Sequence, residues 1–134
     1  MKKSLAILLF VAMFWGSCSK LTQNHQKLDT PEWIRGVWME YYRTVLATGF
    51  RFTEDDFYFI MDNEELPTGV MESLEYARYT LDEQKSSDFY YFRIHLLDDP
   101  DNDIVFESYL INDTLMMVLD RTYTPIDTTF YVKR

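Results

Sequence analysis

Phe89-Tyr90-Tyr91-Phe92-Arg93-Ile94-His95-Leu96-Leu97 decides the fold class. Tyr90, Phe92, Ile94 and Leu96 make one wholly apolar set at period two, while Phe89, Tyr91, Arg93, His95 and Leu97 make a mixed set. Successive side chains of a strand point to opposite faces, so this is a half-buried strand with the first set inward. Outward from it the period stays near two, and turn signals recur about every ten to fifteen residues. The pattern predicts eight strands: Val37 to Val45, Gly49 to Thr53, Phe57 to Asp62, Ser73 to Asp82, Phe89 to Leu97, Ile104 to Ile111, Leu115 to Asp120 and Thr128 to Lys133. Glu54-Asp55-Asp56 and Asn112-Asp113-Thr114 read as tight turns in which Asx side chains bond their own backbone. Asp98 to Asp103, with Pro100 and four carboxylates, reads as a solvated loop, and Asn63 to Met71, with Pro67 and Gly69, as the longest connection and a lid or open rim. Ahead of the strands, Asp29-Thr30-Pro31-Glu32 predicts a short helical turn with Asp29 as N-cap and Glu32 at the capping-box position, stopped by Gly36. The expected fold is all-β: an eight-stranded antiparallel up-and-down barrel behind an N-terminal helical turn, with a sandwich as the other way to bury such strands.

The 17% aromatic content, with ten Tyr and ten Phe, suits such a fold, because these side chains favour strands and bury large areas. The N-terminus is of another kind. Met1-Lys2-Lys3 is basic, Leu5 to Trp15 is a nearly unbroken apolar run, and Gly16-Ser17 leads into Cys18, the single cysteine of the chain. The run is about half of the roughly 20 residues a membrane-spanning helix needs, so it reads as a secretion signal. Residues 1–17 are therefore assigned to the signal, 18–28 to a polar flexible tether and 29–134 to one folded domain.

Removing the first 17 of 134 residues leaves 117, enough for one real core, and loss of Lys2 and Lys3 takes the formal charge from −9 to −11. Phosphate binding rests on clustered Lys and Arg, so no nucleic-acid partner is expected. Asp99-Pro100-Asp101-Asn102-Asp103 spaces Asp like a calcium loop, but Ile104 holds the sixth position and Leu110 the twelfth, which excludes an EF-hand. His95 is the one histidine of the domain, beside Arg93 on a mixed face. There is no nucleophile elbow, HExxH helix or glycine-rich phosphate loop, so no enzyme, metal or cofactor is expected.

The stretch Trp15-Gly16-Ser17-Cys18 resembles the lipobox of bacterial lipoproteins, with Trp15 where that family carries an aliphatic residue. The resemblance implies lipid attachment at Cys18 through palmitate-type chains, and two chains anchor stably where one is marginal. Ser19, not Asp, follows the cysteine and no acidic run comes after it, which by the same resemblance implies the outer membrane and its periplasmic side. Gly36-Val37-Trp38, opening the first long strand after a helical turn, resembles the Gly-x-Trp signature of the lipocalins and the wider calycin superfamily. The chain also looks like the small lipocalin-like lipoproteins of Bacteroides-type bacteria, over residues 31 to 134. The resemblance implies that Trp38 closes the barrel floor under a basic side chain from the C-terminal end, for which Arg121, Lys133 and Arg134 are the candidates. The Thr-Asp-Tyr type of signature is not evident.

With Trp38 inward, period two places Glu40, Tyr42 and Thr44 on the same face. Glu40 then either orients a ligand's polar end inside an aromatic lumen or, near the mouth or past a bulge, is an ordinary surface carboxylate. An eight-stranded barrel either fills with side chains or holds one small ligand. The leading expectation is a lipid-anchored envelope protein that binds a small apolar or amphipathic ligand through Trp38, Glu40, Tyr42, Phe92 and Ile94. The alternative is an interaction or inhibitor lipoprotein with a filled core, meeting an envelope protein partner through rim loops Asn63 to Met71 or Asp98 to Asp103.

Overall fold

Tyr90, Phe92 and Ile94 are fully buried and Arg93 between them is exposed, so the alternation that sets the fold class carries through into space. The structure, a computed structural model, describes residues 26–41 and 47–134. A 3-10 turn at Glu32–Ile34 leads into β1 (Gly36–Glu40), followed by β2 (Gly49–Phe52), β3 (Phe57–Met61), β4 (Glu64–Glu65), the single-turn helix α1 (Val70–Ser73), β5 (Tyr79–Lys85), β6 (Phe89–Leu96), β7 (Ile104–Asn112), β8 (Leu115–Asp120) and β9 (Asp127–Lys133). The nine strands of the described residues pair antiparallel in one sheet of order β4-β3-β2-β1-β9-β8-β7-β6-β5.

The sheet is curled into a half-barrel, and the aromatic contacts measure how far. Phe57 of β3 lies 5.2 Å, ring centre to ring centre, from Phe92 of β6, although five strands separate them in the sheet order. At about 4.8 Å per strand a flat sheet would hold them roughly 29 Å apart. Phe52 and Phe106 meet the same way at 5.2 Å, and Phe92 stacks on Phe106 at 5.4 Å. The concave face is therefore the core: Trp38, Phe52, Phe57, Tyr90, Phe92, Ile94, Phe106, Met116 and Tyr131. Burying phenyl groups from opposite walls against one another offsets the curvature of the sheet.

β4 and β5, the two ends of the strand order, are not paired with each other among the described residues. The gap is packed from outside by residues 26–30 and α1. Leu28 and Thr30 are buried, their backbone N–H groups donating to Asp55 O (3.2 Å) and Glu54 O (3.0 Å) on one side. On the other side the Tyr79 hydroxyl donates to Gln26 O, and Asp29 N–H to the Glu83 carboxylate at 3.0 Å. Leu28, the last residue of the predicted tether, is thus part of the core.

Three expectations are corrected. Ser73 to Asp82 is not one strand: Val70–Ser73 is helical and the strand starts at Tyr79. The cause is Asp56, whose buried carboxylate accepts Met71 N–H (2.7 Å) and Glu72 N–H (3.1 Å), amides that a helix start leaves open, and is held in place by Phe57 N–H (2.7 Å) of β3. Asn63 to Met71 is not a bare connection: Asp62 and Asn63, with φ of 54° and 65°, form a two-residue turn that returns the chain as β4. Asp29 does not cap the first turn. Pro31 holds that place without a side-chain cap, and the Asp29 carboxylate pairs with Lys85. Of the predicted strand Val37 to Val45, Glu40 ends the observed part and 42–46 lie outside the described residues.

Candidate functional site

Trp38 is fully buried, its indole N–H donating to Ile34 O at 2.7 Å. Lys133 lies with its Nζ 5.3 Å from the ring centre and donates to Trp33 O at 2.9 Å. Of the three basic candidates it is the one over the ring. Arg121 turns to Glu107, and the Arg134 backbone N–H bonds Val37 O. Gly36, at φ 111°, faces the lysine stem: a Cβ there would stand 3.4 Å from its Cε. This end of the half-barrel is solid, closed by Ile34, Trp38 and the lysine chain.

The opposite end is open. The β7–β8 register runs from Asn112↔Leu115 up to Ser108↔Val118 and stops, although β7 begins at Ile104 and β8 continues to Asp120. At that level lies a cavity of about 610 Å³, a size ordinary for small-molecule sites. Phe50, Phe57, Phe59, Phe92, Phe106 and Tyr131 make its aromatic floor. Val118 and Thr129, directly paired on β8 and β9, make the near wall, and Asp103, Asp120 and Asp127 stand on its edge.

Arg121 and Glu107 tie the unpaired ends of β8 and β7 together. The guanidinium holds the carboxylate at two points, Nε to Oε2 at 2.6 Å and Nη2 to Oε1 at 2.8 Å, and the Tyr109 hydroxyl adds a third bond at 2.8 Å. The arginine holds the Glu107 carboxyl below the usual glutamate range, overriding the burial that pushes it up. Because its folded pKa is depressed, this contribution to stability is whole above the unfolded glutamate pKa of about 4.3 and is lost as pH falls through the folded value. Arg121→Ala, leaving a nearly buried carboxylate without its fork, is expected to cost about 2–3 kcal/mol at pH 7 and less at pH 3. Urea unfolding at the two pH values checks this, and an equal loss at both would remove the ion pair as its cause.

No family model, curated protein or solved structure matches the chain. Among the described residues no three His, Cys, Asp or Glu side chains come together to hold a metal ion. His95 spends Nδ1 on Asp103 at 2.7 Å, where Arg93 also pairs. Burial pushes the Asp103 carboxyl up, and Arg93 and His95 together bring it below the usual range.

The five ligand-binding candidates separate. Trp38, Phe92 and Ile94 share the concave face, but Phe92 alone of them lines the cavity; Trp38 closes the solid end and Ile94 is enclosed in the core. Glu40 is half-buried and its Oε2 accepts the Thr48 hydroxyl at 2.7 Å, and it does not line the cavity. Tyr42 and Cys18 lie outside the described residues. Sequence reading missed the wall of Val118 and Thr129 and the edge of Asp120 and Asp127, whose one local signal is the shared parity of Val118 with Asp120 and of Asp127 with Thr129.

Proposed function

We propose that the protein is a non-enzymatic binding module that holds a small apolar or amphipathic ligand in the open half of its curled sheet. The cavity of about 610 Å³ floored by phenyl rings carries this reading. Phe59 stays 39% exposed at the open end, an apolar ring a filled core would have covered. Phe92, in the aromatic floor, is the cavity residue retained from the sequence reading, and Trp38 closes the solid end.

We read the half-barrel as a lipocalin-like cylinder opened between β4 and β5. What supports this is the strand order, an up-and-down meander with the first and last long strands side by side, and the burial of Trp38 beneath Lys133. Anchoring through lipid on Cys18, at the outer membrane and on its periplasmic side, is proposed from the sequence; no helix among the described residues is long and apolar enough to cross a membrane. A partner protein at the rim is the second reading, favoured by Leu97, Tyr123 and Ile126, which stand exposed on loops at the open end.

Thr129→Trp puts an indole into the cavity from a half-buried strand position. It is expected to reduce binding of an uncharged fluorescent apolar probe such as N-phenyl-1-naphthylamine about tenfold or more while far-ultraviolet circular dichroism stays unchanged. Absence of any probe binding by the unaltered protein would leave the rim reading in its place.

A further inference from the structure

The charged edge of the cavity discriminates among amphiphiles. Five charged side chains line it: Asp103, Glu107, Asp120, Arg121 and Asp127. Arg121 is held by Glu107, and Asp103 by Arg93 and His95. Asp120 and Asp127 remain. They face each other directly on the last rung of β8 and β9, on the same face as Val118 and Thr129. Asp120 accepts the Thr122 N–H (2.9 Å) and hydroxyl, and Asp127 the Thr128 N–H (2.9 Å). Neither has a cationic partner among the described residues. Like charges set directly opposite on an antiparallel pair destabilise it, and here two stand at the lip of an apolar cavity.

Resting on the pocket reading above, we propose that the cavity takes amphiphiles with a cationic head, such as alkyl amines or alkyl ammonium ions, in preference to carboxylates. The chain of such a ligand lies on Phe50, Phe59 and Phe106, and its head sits between the Asp120 and Asp127 carboxylates. A fatty acid in the same pose would bring a third negative charge to that rung.

Calorimetric titration of the protein with dodecyltrimethylammonium and with dodecanoate, both below their micellar concentrations, tests this at equal chain length. The cation is expected to bind about tenfold tighter or more at low salt, with the ratio shrinking as ionic strength rises. Asp120→Asn/Asp127→Asn should bring the ratio close to one and raise the thermal midpoint, whereas Glu54→Gln/Asp113→Asn, at the opposite end, should leave the ratio as it was. Dodecanoate binding as tightly as the cation, a ratio indifferent to Asp120 and Asp127, or cation binding that survives Thr129→Trp overturns the preference and leaves the pocket standing. Failure of both amphiphiles to bind overturns the pocket and the preference together.

Discussion

Trp38→Ala is expected to lower stability by about 3–5 kcal/mol, the range found when a large aromatic is deleted from a packed core. The indole is completely enclosed, so its removal leaves a void at the point where β1, β2 and β9 converge, Trp38 being paired with both Phe50 and Lys133. Two further losses follow. Ile34 O loses its 2.7 Å donor, and the Lys133 ammonium loses the ring face beneath it while keeping its bond to Trp33 O. Against a typical total of about 5–15 kcal/mol this is a large fraction, equivalent to a fall of about 15–25 °C in thermal midpoint. Trp38→Phe keeps most of the apolar volume and loses the N–H, so about 1–2 kcal/mol is expected. Chemical unfolding followed by far-ultraviolet circular dichroism distinguishes the two. A loss below about 1 kcal/mol for alanine would mean that the solid end of the half-barrel does not depend on its plug.

What could be read from the chain alone follows the range of the interactions involved. The face of Tyr90, Phe92 and Ile94 is a property of consecutive residues, and it held because nothing distant competes with it. The same parity put Trp38 and Glu40 on one face, but not the Thr48 hydroxyl that holds the carboxylate. The stretch from Ser73 to Arg78 misled for a physical reason. Leu74 and Tyr76 alternate with Ser73 and Glu75 as in a strand, while the helix before them is set by a carboxylate far back in the chain, at Asp56. β4 had a local signal after all, since Asp62-Asn63 suits the left-handed backbone of a two-residue turn. The site is non-local throughout. Its opening exists because the β7–β8 register shifts between Leu110 and Asn112 and ends at Ser108↔Val118, and its charged lip exists because Asp120 meets Asp127 across a loop. Neither register is written in any one strand.

Gly49→Ala is expected to be as damaging as loss of the tryptophan, from the opposite cause. A Cβ at position 49 would stand 2.2 Å from the Trp38 carbonyl oxygen, 2.8 Å from Met39 Sδ and 3.2 Å from Met39 Cα. The nearest of these is backbone, which cannot rotate aside, and it belongs to the strand with which Gly49 pairs, opposite Met39. Relief requires β1 and β2 to separate, which breaks the rungs that seat Trp38 against Phe50 and draws Phe50 away from Phe106 and Tyr131. About 3 kcal/mol or more is expected, at the upper end for overpacked sites. Gly69 supplies the control. A Cβ there would stand 2.2 Å from Asp56 Oδ2, as short a contact, but with the end of a side chain that can swing away. Swinging forfeits the bonds from Met71 and Glu72 N–H and frays a single helical turn outside the sheet, so Gly69→Ala is expected to cost about 1–2 kcal/mol. Urea midpoints for the two variants should therefore fall in that order, and the cavity should lose its probe in Gly49→Ala while Gly69→Ala keeps it. The reverse order would mean that β1 and β2 have slack at this rung, and the floor of the pocket would then not be fixed by their close approach.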